Sequence, residues 1–425
     1  MKINEIHGES KKIINPKYIK LLFFTCWITY FLCYIGRVNY NAVMVQIIDE
    51  NVLLKSQAGL ISTCAFFSYG IGQLISGILV DRFSPKHIMT LGIAASFICN
   101  LTMITFTDPG YMFLIWGING LAQSMTWTPI AKLFANKLRY SEGVKANVHF
   151  ATCSIAGTII TYFICSASVA FLTWRAVFLI AAIGLVIAGI LWWAGITITE
   201  KHVSAFGIME HDEVKNKDDI PVASVSFWKI ILMSGIIAVG FGAVVQGVLK
   251  DGVSTWIPTY MKENFDLGVY LAIMLATVIP LINLIGTYSA SILNQKVFKN
   301  PMITSAFYFL IALSALISLF LFSVKSIWLS MILLSISTSA VSGVNVIIIG
   351  IVPLSFSKYN RAATISGAMN SLAYLGSAIS VYGIGALSEA KGWNMVIILW
   401  AALSLLGSVI FIAISKRWNK FQYNA

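Results

Sequence analysis

Charged residues are scarce in this sequence. Only 11% of its 425 residues are Asp, Glu, Lys or Arg, 58% are hydrophobic, and the mean hydropathy is +0.82. Soluble domains carry about 25% charged residues, so the composition excludes a soluble protein. Apolar runs of about 20 residues, the length that crosses a bilayer, recur along the whole chain. The sequence therefore predicts an all-α membrane protein with almost no domain outside the membrane.

Carboxylates are rarer still within the apolar runs. Of the 17 Asp and Glu residues, only Asp251 lies deep in such a run. This scarcity argues against a proton-coupled mechanism that uses a relay of titrating carboxylates. The chain also lacks a Gly-rich nucleotide loop, a nucleophile constellation and paired carboxylates, which argues against an enzyme.

Cysteine is absent from the second half of the chain, and no Cys/His spacing typical of a metal site occurs. The cysteines of the first half all fall in apolar runs, where this residue commonly packs as a small hydrophobic side chain. We therefore expect no disulfide, no metal and no cofactor. The six cysteines are Cys26, Cys33, Cys64, Cys99, Cys153 and Cys165.

Twelve apolar runs predict twelve transmembrane helices. The longest polar stretch, 199–225, divides the chain into an N-terminal half, 1–198, and a C-terminal half, 226–425, with six helices each. Two six-helix halves related by a pseudo-twofold axis describe the major facilitator fold, in which the halves rock around a midplane site. The predicted spans are 20–48, 57–80, 87–106, 111–135, 147–171, 174–198, 228–261, 268–295, 302–323, 327–354, 361–387 and 393–415.

The net charge of +12 reflects topology rather than nucleic-acid binding. Of the 29 Lys and Arg residues, 22 lie on one side of the predicted membrane, in the tails, the connections and the span ends beside them, and five lie on the other side. Cytoplasmic loops carry such an excess of positive charge, so both termini are predicted to be cytoplasmic. We expect a monomer in the plasma membrane, with no nucleic-acid partner.

A charged motif follows the second span. The segment "GILVDRFSPK" contains Gly77, Asp81, Arg82 and Lys86 and is similar to the loop signature of major facilitators between helices 2 and 3. Glycine permits close helix approach, and an acid there can cap a neighbouring helix and pair with an arginine. We predict a gating role for this motif. Its counterpart in the second half has Asn294 where an acid would be expected.

An arginine stands in the middle of the first span. Arginine at the centre of a membrane helix costs about 2.5–3.5 kcal/mol on insertion scales, which makes it a functional candidate. Arg37 shares a helix face with Tyr30, Tyr34 and Asn41, which are spaced at helical intervals. Because lipid would leave these groups unsatisfied, the face must line water or protein. A structural alternative is that Arg37 snorkels to an interface or binds backbone carbonyls.

The seventh span carries a second cation at a matching position. Lys250 lies 12 residues before Lys262, as Arg37 lies 12 residues before Asp49. Pseudo-symmetry would bring the two cations to one central cavity, and a cavity with two fixed positive charges favours an anion. Alternatively, Lys250 lies near the outer end of its span and has a structural role.

The sequence resembles the organophosphate:phosphate antiporter family over nearly its whole length. The most specific similarities are "YIGRVNYNAVM" in helix 1, "WGINGLAQSMTWTPIAKLF" in helix 4 and "VLKDGVSTWIPTYMKE" in helix 7. The resemblance implies that Arg37 and Lys250 hold a phosphate group, with lysine standing where glycerol-3-phosphate carriers have arginine. It also implies that further side chains shape the cavity. These are Tyr30, Tyr34, Tyr69, Tyr374 and Trp127, with Asn41 on the Arg37 face. For Trp127 the alternative is that it only packs between helices.

Three positions depart from the family pattern. Cys153 and Val352 stand where the family has histidines, and Gln73 stands where it has a lysine. His149, one helical turn before Cys153, is a candidate substitute for the first histidine or a structural residue.

The resemblance implies exchange of a phosphorylated organic anion for inorganic phosphate by alternating access. Two alternatives remain open. One is a transporter-like membrane sensor of hexose phosphate. The other is a hexuronate-type carboxylate symporter, in which Arg37 would hold a carboxylate and a titrating group such as His149 or Asp251 would couple protons.

Overall fold

The computed structural model describes residues 12–206, 233–322, 326–359 and 361–423, which form twelve long helices. Ten of these helices are long and apolar enough to cross a membrane. The fold is therefore the all-helical one predicted. The helices are α1 (Pro16–Asp49), α2 (Lys55–Arg82), α3 (Pro85–Met103), α4 (Pro109–Lys137), α5 (Tyr140–Phe171), α6 (Trp174–Phe206), α7 (Ile236–Phe265), α8 (Val269–Phe298), α9 (Pro301–Phe322), α10 (Ile327–Phe356), α11 (Ala362–Lys391) and α12 (Trp393–Tyr423).

Several helices begin at proline behind a polar cap. The Asn15 side chain accepts a hydrogen bond from the Lys17 amide before α1, and Asp108 accepts from the amides of Gly110 and Tyr111 at the start of α4. Such caps satisfy backbone N–H groups that have no partner within the helix. They also explain why these helices begin before the predicted spans, since the capped first turn is polar.

The predicted linker 199–225 is partly helical. Helix α6 continues to Phe206 because its last turns pack on the first half. Val203 is buried, and the ring of His202 stacks on Tyr18 with the ring centroids 3.5 Å apart. The linker positions after Phe206 lie outside the described residues.

The two halves repeat the same helix pairings. Helix α1 packs on α6, α2 on α4 and α3 on α6; in the second half α7 packs on α12, α8 on α10 and α9 on α12. The halves meet along α2 against α11 and α5 against α8. Many large apolar side chains elsewhere on the helices are exposed, among them Leu91, Phe163, Ile190 and Ile285. An exposed apolar surface of this kind suits contact with lipid tails.

Two helices of the second half are irregular. Helix α8 is interrupted at Thr277, between the segments Val269–Ala276 and Val278–Leu293. Helix α10 changes to π-helix over Val346–Ile351. Both irregular segments lie near the cavity described next, and π-helical turns within α-helices are frequent at functional sites.

Candidate functional site

A cavity of about 670 Å³ lies between the two halves, and both predicted cations line it. Arg37 reaches it from α1 and Lys250 from α7. The only other charged side chain among the described lining residues is Asp251. The structure thus brings together the two positive charges that pseudo-symmetry predicted.

Aromatic residues of both halves surround Arg37. Its guanidinium carbon lies 3.8 Å from the centre of the Tyr69 ring and 5.3 Å from that of Tyr34. One terminal nitrogen donates to the Tyr374 hydroxyl at 3.2 Å. No carboxylate of the described residues pairs with Arg37. The guanidinium therefore retains donors for a ligand in the cavity, since an arginine carries five N–H groups.

Amides from neighbouring helices fix the backbone beside Arg37. The side chains of Asn100 and Asn119 both donate to the carbonyl of Gly36, at 3.2 and 3.0 Å. Gln123 donates to the carbonyl of Cys33 at 3.1 Å. These three amides lie on α3 and α4 and are buried. They hold α1 in place where its guanidinium enters the cavity.

Lys250 is paired within its own helix. Its Nζ lies 3.3 Å from Oδ1 of Asp251, and the other carboxylate oxygen accepts from the Ser377 hydroxyl at 2.6 Å. Asp251 directly follows Lys250, and successive side chains of a helix point about 100° apart. The long lysine side chain bends back to reach it. The cavity therefore holds two cations and one carboxylate.

An amide pair joins the halves beside the cavity. Gln73 of α2 donates to the hydroxyl of Tyr69 at 2.8 Å, and its carbonyl oxygen accepts from Asn370 of α11 at 3.0 Å. Gln73 occupies the position where the family has a lysine. Here this position links Tyr69, which covers Arg37, to the opposite half.

The other predicted site residues divide into two groups. Tyr34, Asn41, Tyr69 and Tyr374 line the cavity, and Asn41 accepts from the Ser62 hydroxyl at 2.7 Å. The rest lie outside the lining, either packed against aromatic rings or exposed. These are Tyr30 and Trp127, whose rings pack on each other and on Phe150, and His149, which is exposed on α5.

Besides Ser254, Thr255 and Tyr288, sequence reasoning missed four polar residues of the second half that also line the cavity. They come as pairs on two adjacent helices, three or four residues apart, so the polar positions in the apolar runs of spans 8 and 10 were the available signal. The residues are Asn283 and Thr287 of α8 and Ser342 and Asn345 of α10.

The residues of the predicted gating motif contact other helices of the first half. Asp81 lies 3.5 Å from Nζ of Lys132 on α4, so a lysine takes the place of the predicted arginine partner. Lys86 donates to the hydroxyl of Thr197 at 2.6 Å, and Arg82 is exposed. A Cβ on Gly77 would meet no atom within 4 Å, so close helix approach does not require this glycine in the present conformation.

The cavity is closed by contacts between the halves at the end of the bundle where α1 ends and α2 begins, which we name the α1–α2 end. Lys55 pairs with Glu263 at 3.0 Å, and Asp49 pairs with Lys262. Helices α2 and α11 also touch: a Cβ on Gly385 would lie 2.6 Å from the carbonyl oxygen of Lys55. Ion pairs and small residues together hold the halves in contact there.

Several proteins of known identity resemble the chain along most of its length. It is 23% identical over 439 residues to a probable hexose phosphate transport protein of Chlamydia trachomatis, covering 96% of this chain and 94% of that protein. It is 24% identical to the membrane sensor protein UhpC of Escherichia coli, and the match covers 90% of this chain and 89% of that protein. A glycerol-3-phosphate transporter of Bacillus subtilis is 24% identical and covers 60% of each chain. These relatives agree with the resemblance to the organophosphate:phosphate antiporter family, and they are not enzymes.

Solved structures share the fold. A bacterial homologue of the human lysosomal transporter Spinster superposes with a TM-score of 0.78 at 15% identity, covering 96% of this chain and 99% of that one. A D-xylose–proton symporter superposes with a TM-score of 0.73 at 13% identity, and the match covers 93% of this chain and 97% of that one. The sequence profile described as Major Facilitator Superfamily matches residues 26–381. The chain is a multi-pass membrane protein that belongs to the Major Facilitator Superfamily.

Proposed function

We propose that this protein exchanges a phosphorylated organic anion for inorganic phosphate across a bacterial inner membrane. The observation that carries the proposal is that Arg37 and Lys250 line one cavity between the halves. The names of the relatives, a hexose phosphate and a glycerol-3-phosphate transporter among them, support the same class of substrate.

The two cations suit a phosphate group in different ways. A guanidinium offers a planar fork that matches two phosphate oxygens, and an ammonium adds a compact charge. Asp251 offsets part of this charge and leaves an excess of one positive charge in the cavity. A phosphate ester carries about −1.5 to −2 charges at pH 7, so its entry more than neutralises the site.

Exchange, rather than one-way transport, follows from the same charges. An empty cavity with excess positive charge reorients slowly if closure around it is unfavourable, and bound phosphate removes that obstacle. A ligand shifts a conformational equilibrium only through its different affinity for the two states. Phosphate leaving on one side would then permit organophosphate entry from the other.

The contacts at the α1–α2 end indicate which state of the proposed transport cycle this conformation represents. The positive-inside bias predicts that both termini lie in the cytoplasm and that the α1–α2 end lies outside. We propose that the present conformation is sealed on the outside and that transport breaks the pairs Lys55–Glu263 and Asp49–Lys262. In the proposed motion the two halves, α1–α6 and α7–α12, move against each other as units within a monomer.

Proteoliposomes loaded with labelled phosphate test the proposal. We expect external phosphate and a hexose 6-phosphate or glycerol 3-phosphate to release the label, and Arg37→Ala to abolish that release. If no external anion releases labelled phosphate from vesicles that contain inserted, folded protein, the proposed exchange is refuted.

Two other functions have specific support. The similarity to the membrane sensor UhpC supports a sensor, which would bind a hexose phosphate without exchanging it. The placement of Asp251 beside Lys250 supports a hexuronate symporter, which would accumulate its substrate with protons and release no labelled phosphate. The same vesicles distinguish all three.

A further inference from the structure

The cavity has an uncharged wall built by α8 and α10, and the phosphate-binding residues do not account for it. Its members are Asn283 and Thr287 of α8 and Ser342 and Asn345 of α10. No charged side chain of these two helices is among the described lining residues. These four side chains offer two amides and two hydroxyls to whatever occupies the cavity, and Tyr288 of α8, which also lines it, adds a phenol hydroxyl.

Three of these four side chains have polar atoms without a partner among the described residues; the fourth, Thr287, donates to the backbone carbonyl of Asn283 at 3.0 Å. Nothing in the described chain donates to Oδ1 of Asn283, although this oxygen is buried. The side chains of Ser342 and Asn345 make no hydrogen bond to any described residue. Buried polar groups are usually hydrogen-bonded, because an unpaired one costs about 1–3 kcal/mol. Unpaired amides and hydroxyls at a cavity therefore call for a polar ligand.

The backbone of α8 adds an acceptor at the same place. Pro280 has no N–H to give to the carbonyl of Ala276, four residues earlier, and both residues line the cavity. The helix is interrupted between them, at Thr277. The Ala276 carbonyl therefore lacks the N–H partner that a helix normally supplies four residues later.

The wall is held rigid by small residues. The backbones of α8 and α10 touch at Gly286, where any Cβ would overlap the carbonyl of Ser339. The Ser339 hydroxyl donates to the carbonyl of Ile282 at 2.8 Å. These contacts lie one turn from Asn283 and Thr287 and fix their spacing from α10. A fixed array of donors and acceptors discriminates between ligands better than a mobile one does.

We propose that Asn283, Thr287, Ser342 and Asn345 form a subsite that binds the hydroxyl groups of a polyhydroxylated phosphate ester and discriminates against phosphorylated carboxylic acids. Each hydroxyl of a sugar donates and accepts a hydrogen bond, as amides and hydroxyls do. A ligand that carries a carboxylate besides its phosphate would find no cation on this wall, and Asp251 would repel that carboxylate. The inference rests on the proposed function, because Arg37 and Lys250 hold the phosphate end.

Binding to the purified full-length protein in detergent tests the subsite directly. Calorimetric titrations with glucose 6-phosphate, 3-phosphoglycerate and inorganic phosphate are compared between the parent and Asn283→Ala, Asn345→Ala and Thr287→Val. We expect the parent to prefer glucose 6-phosphate over 3-phosphoglycerate by at least about tenfold. Each variant should weaken glucose 6-phosphate binding about fivefold to tenfold, the effect of one lost hydrogen bond, and leave phosphate affinity within about twofold.

Two controls separate a ligand contact from a folding defect. Thr287→Ser keeps the hydroxyl and should bind as the parent does. Ser291→Ala removes a hydroxyl of α8 that lies outside the cavity lining, beside Gln295, and should have no effect. Equal affinity of the parent for 3-phosphoglycerate and glucose 6-phosphate, or unchanged sugar-phosphate binding in every variant, would overturn the subsite. Phosphate exchange in vesicles is measured in parallel: if it fails while the binding pattern holds, the proposed exchange is wrong and the subsite stands.

Discussion

A hydrogen bond from Arg37 of α1 to the hydroxyl of Tyr374 of α11 connects the two halves inside the cavity, across 337 residues of sequence. An anion that binds the same terminal nitrogen shares or replaces this bond. Occupancy of the cavity is thereby linked to a contact between the halves. This relation supplies a physical basis for coupling anion binding to their movement.

Arg37 should not be replaceable by lysine. Lysine keeps the charge but loses the planar fork, and a hydrogen bond between charged groups contributes about 1.5–3 kcal/mol. We expect Arg37→Lys to raise the half-saturation concentration for phosphate in vesicle exchange by at least about tenfold. Arg175→Lys is the matched control, because that arginine also lies over an aromatic ring, Trp174, but outside the cavity lining. Normal exchange by Arg37→Lys would argue against bidentate recognition.

The ring of Tyr69, more than its hydroxyl, should matter for Arg37. The guanidinium lies over this ring at 3.8 Å, and a desolvated cation–π contact contributes about 2 kcal/mol. We expect Tyr69→Phe to retain most phosphate exchange and Tyr69→Leu to lose at least about tenfold in affinity. Equal loss in both variants would instead assign the effect to the hydroxyl and its bond with Gln73.

Asp251 should not be required for exchange. In the antiporter, its carboxylate competes with the substrate for Lys250, so Asp251→Asn frees the ammonium and raises the positive charge of the cavity. We expect phosphate exchange to persist, with a severalfold lower half-saturation concentration. A proton-coupled symporter predicts the opposite result, since it would lose its titrating group. Ser377→Ala, which removes the other partner of the carboxylate, serves as the control for local disturbance.

Two glycines of α11 should respond differently to alanine. A Cβ on Gly385 would lie 2.6 Å from the Lys55 carbonyl oxygen, whereas a Cβ on Gly383 would meet nothing within 4 Å. We expect Gly385→Ala to favour the state open at the α1–α2 end, seen as faster labelling of a Ser56→Cys thiol by an impermeant maleimide. Gly383→Ala should label as the parent does. If both glycine variants label as slowly as the parent, close packing at Gly385 does not hold the α1–α2 end closed.

The order and number of the helices could be predicted because apolar runs of membrane length are a direct property of the sequence. The helix ends were less certain, since polar residues extend a helix when they pack, as the last turns of α6 do. The face of α1 was also predictable from spacing. Tyr34, Arg37 and Asn41 line the cavity, and Tyr30 does not, because rings of α4 and α5 cover it.

The α8–α10 wall could not be predicted from spacing alone. A polar residue in an apolar run faces a cavity or a neighbouring helix according to which helices surround it, and no linear pattern gives that arrangement. Gln246 illustrates the difficulty: it lies one turn before Lys250, yet it is fully buried and outside the cavity lining. Asn283 is no more conspicuous in the sequence and does line the cavity.

Calorimetric titration of inorganic phosphate into the parent, Arg37→Gln, Lys250→Gln and the double variant tests the central claim most directly. If both cations hold one phosphate, each single variant loses at least about tenfold in affinity, because a charge-assisted hydrogen bond is lost. The double variant should then lose less than the product of the two single losses, since groups that share a ligand are not independent. Parent-like phosphate affinity in either single variant would contradict the account.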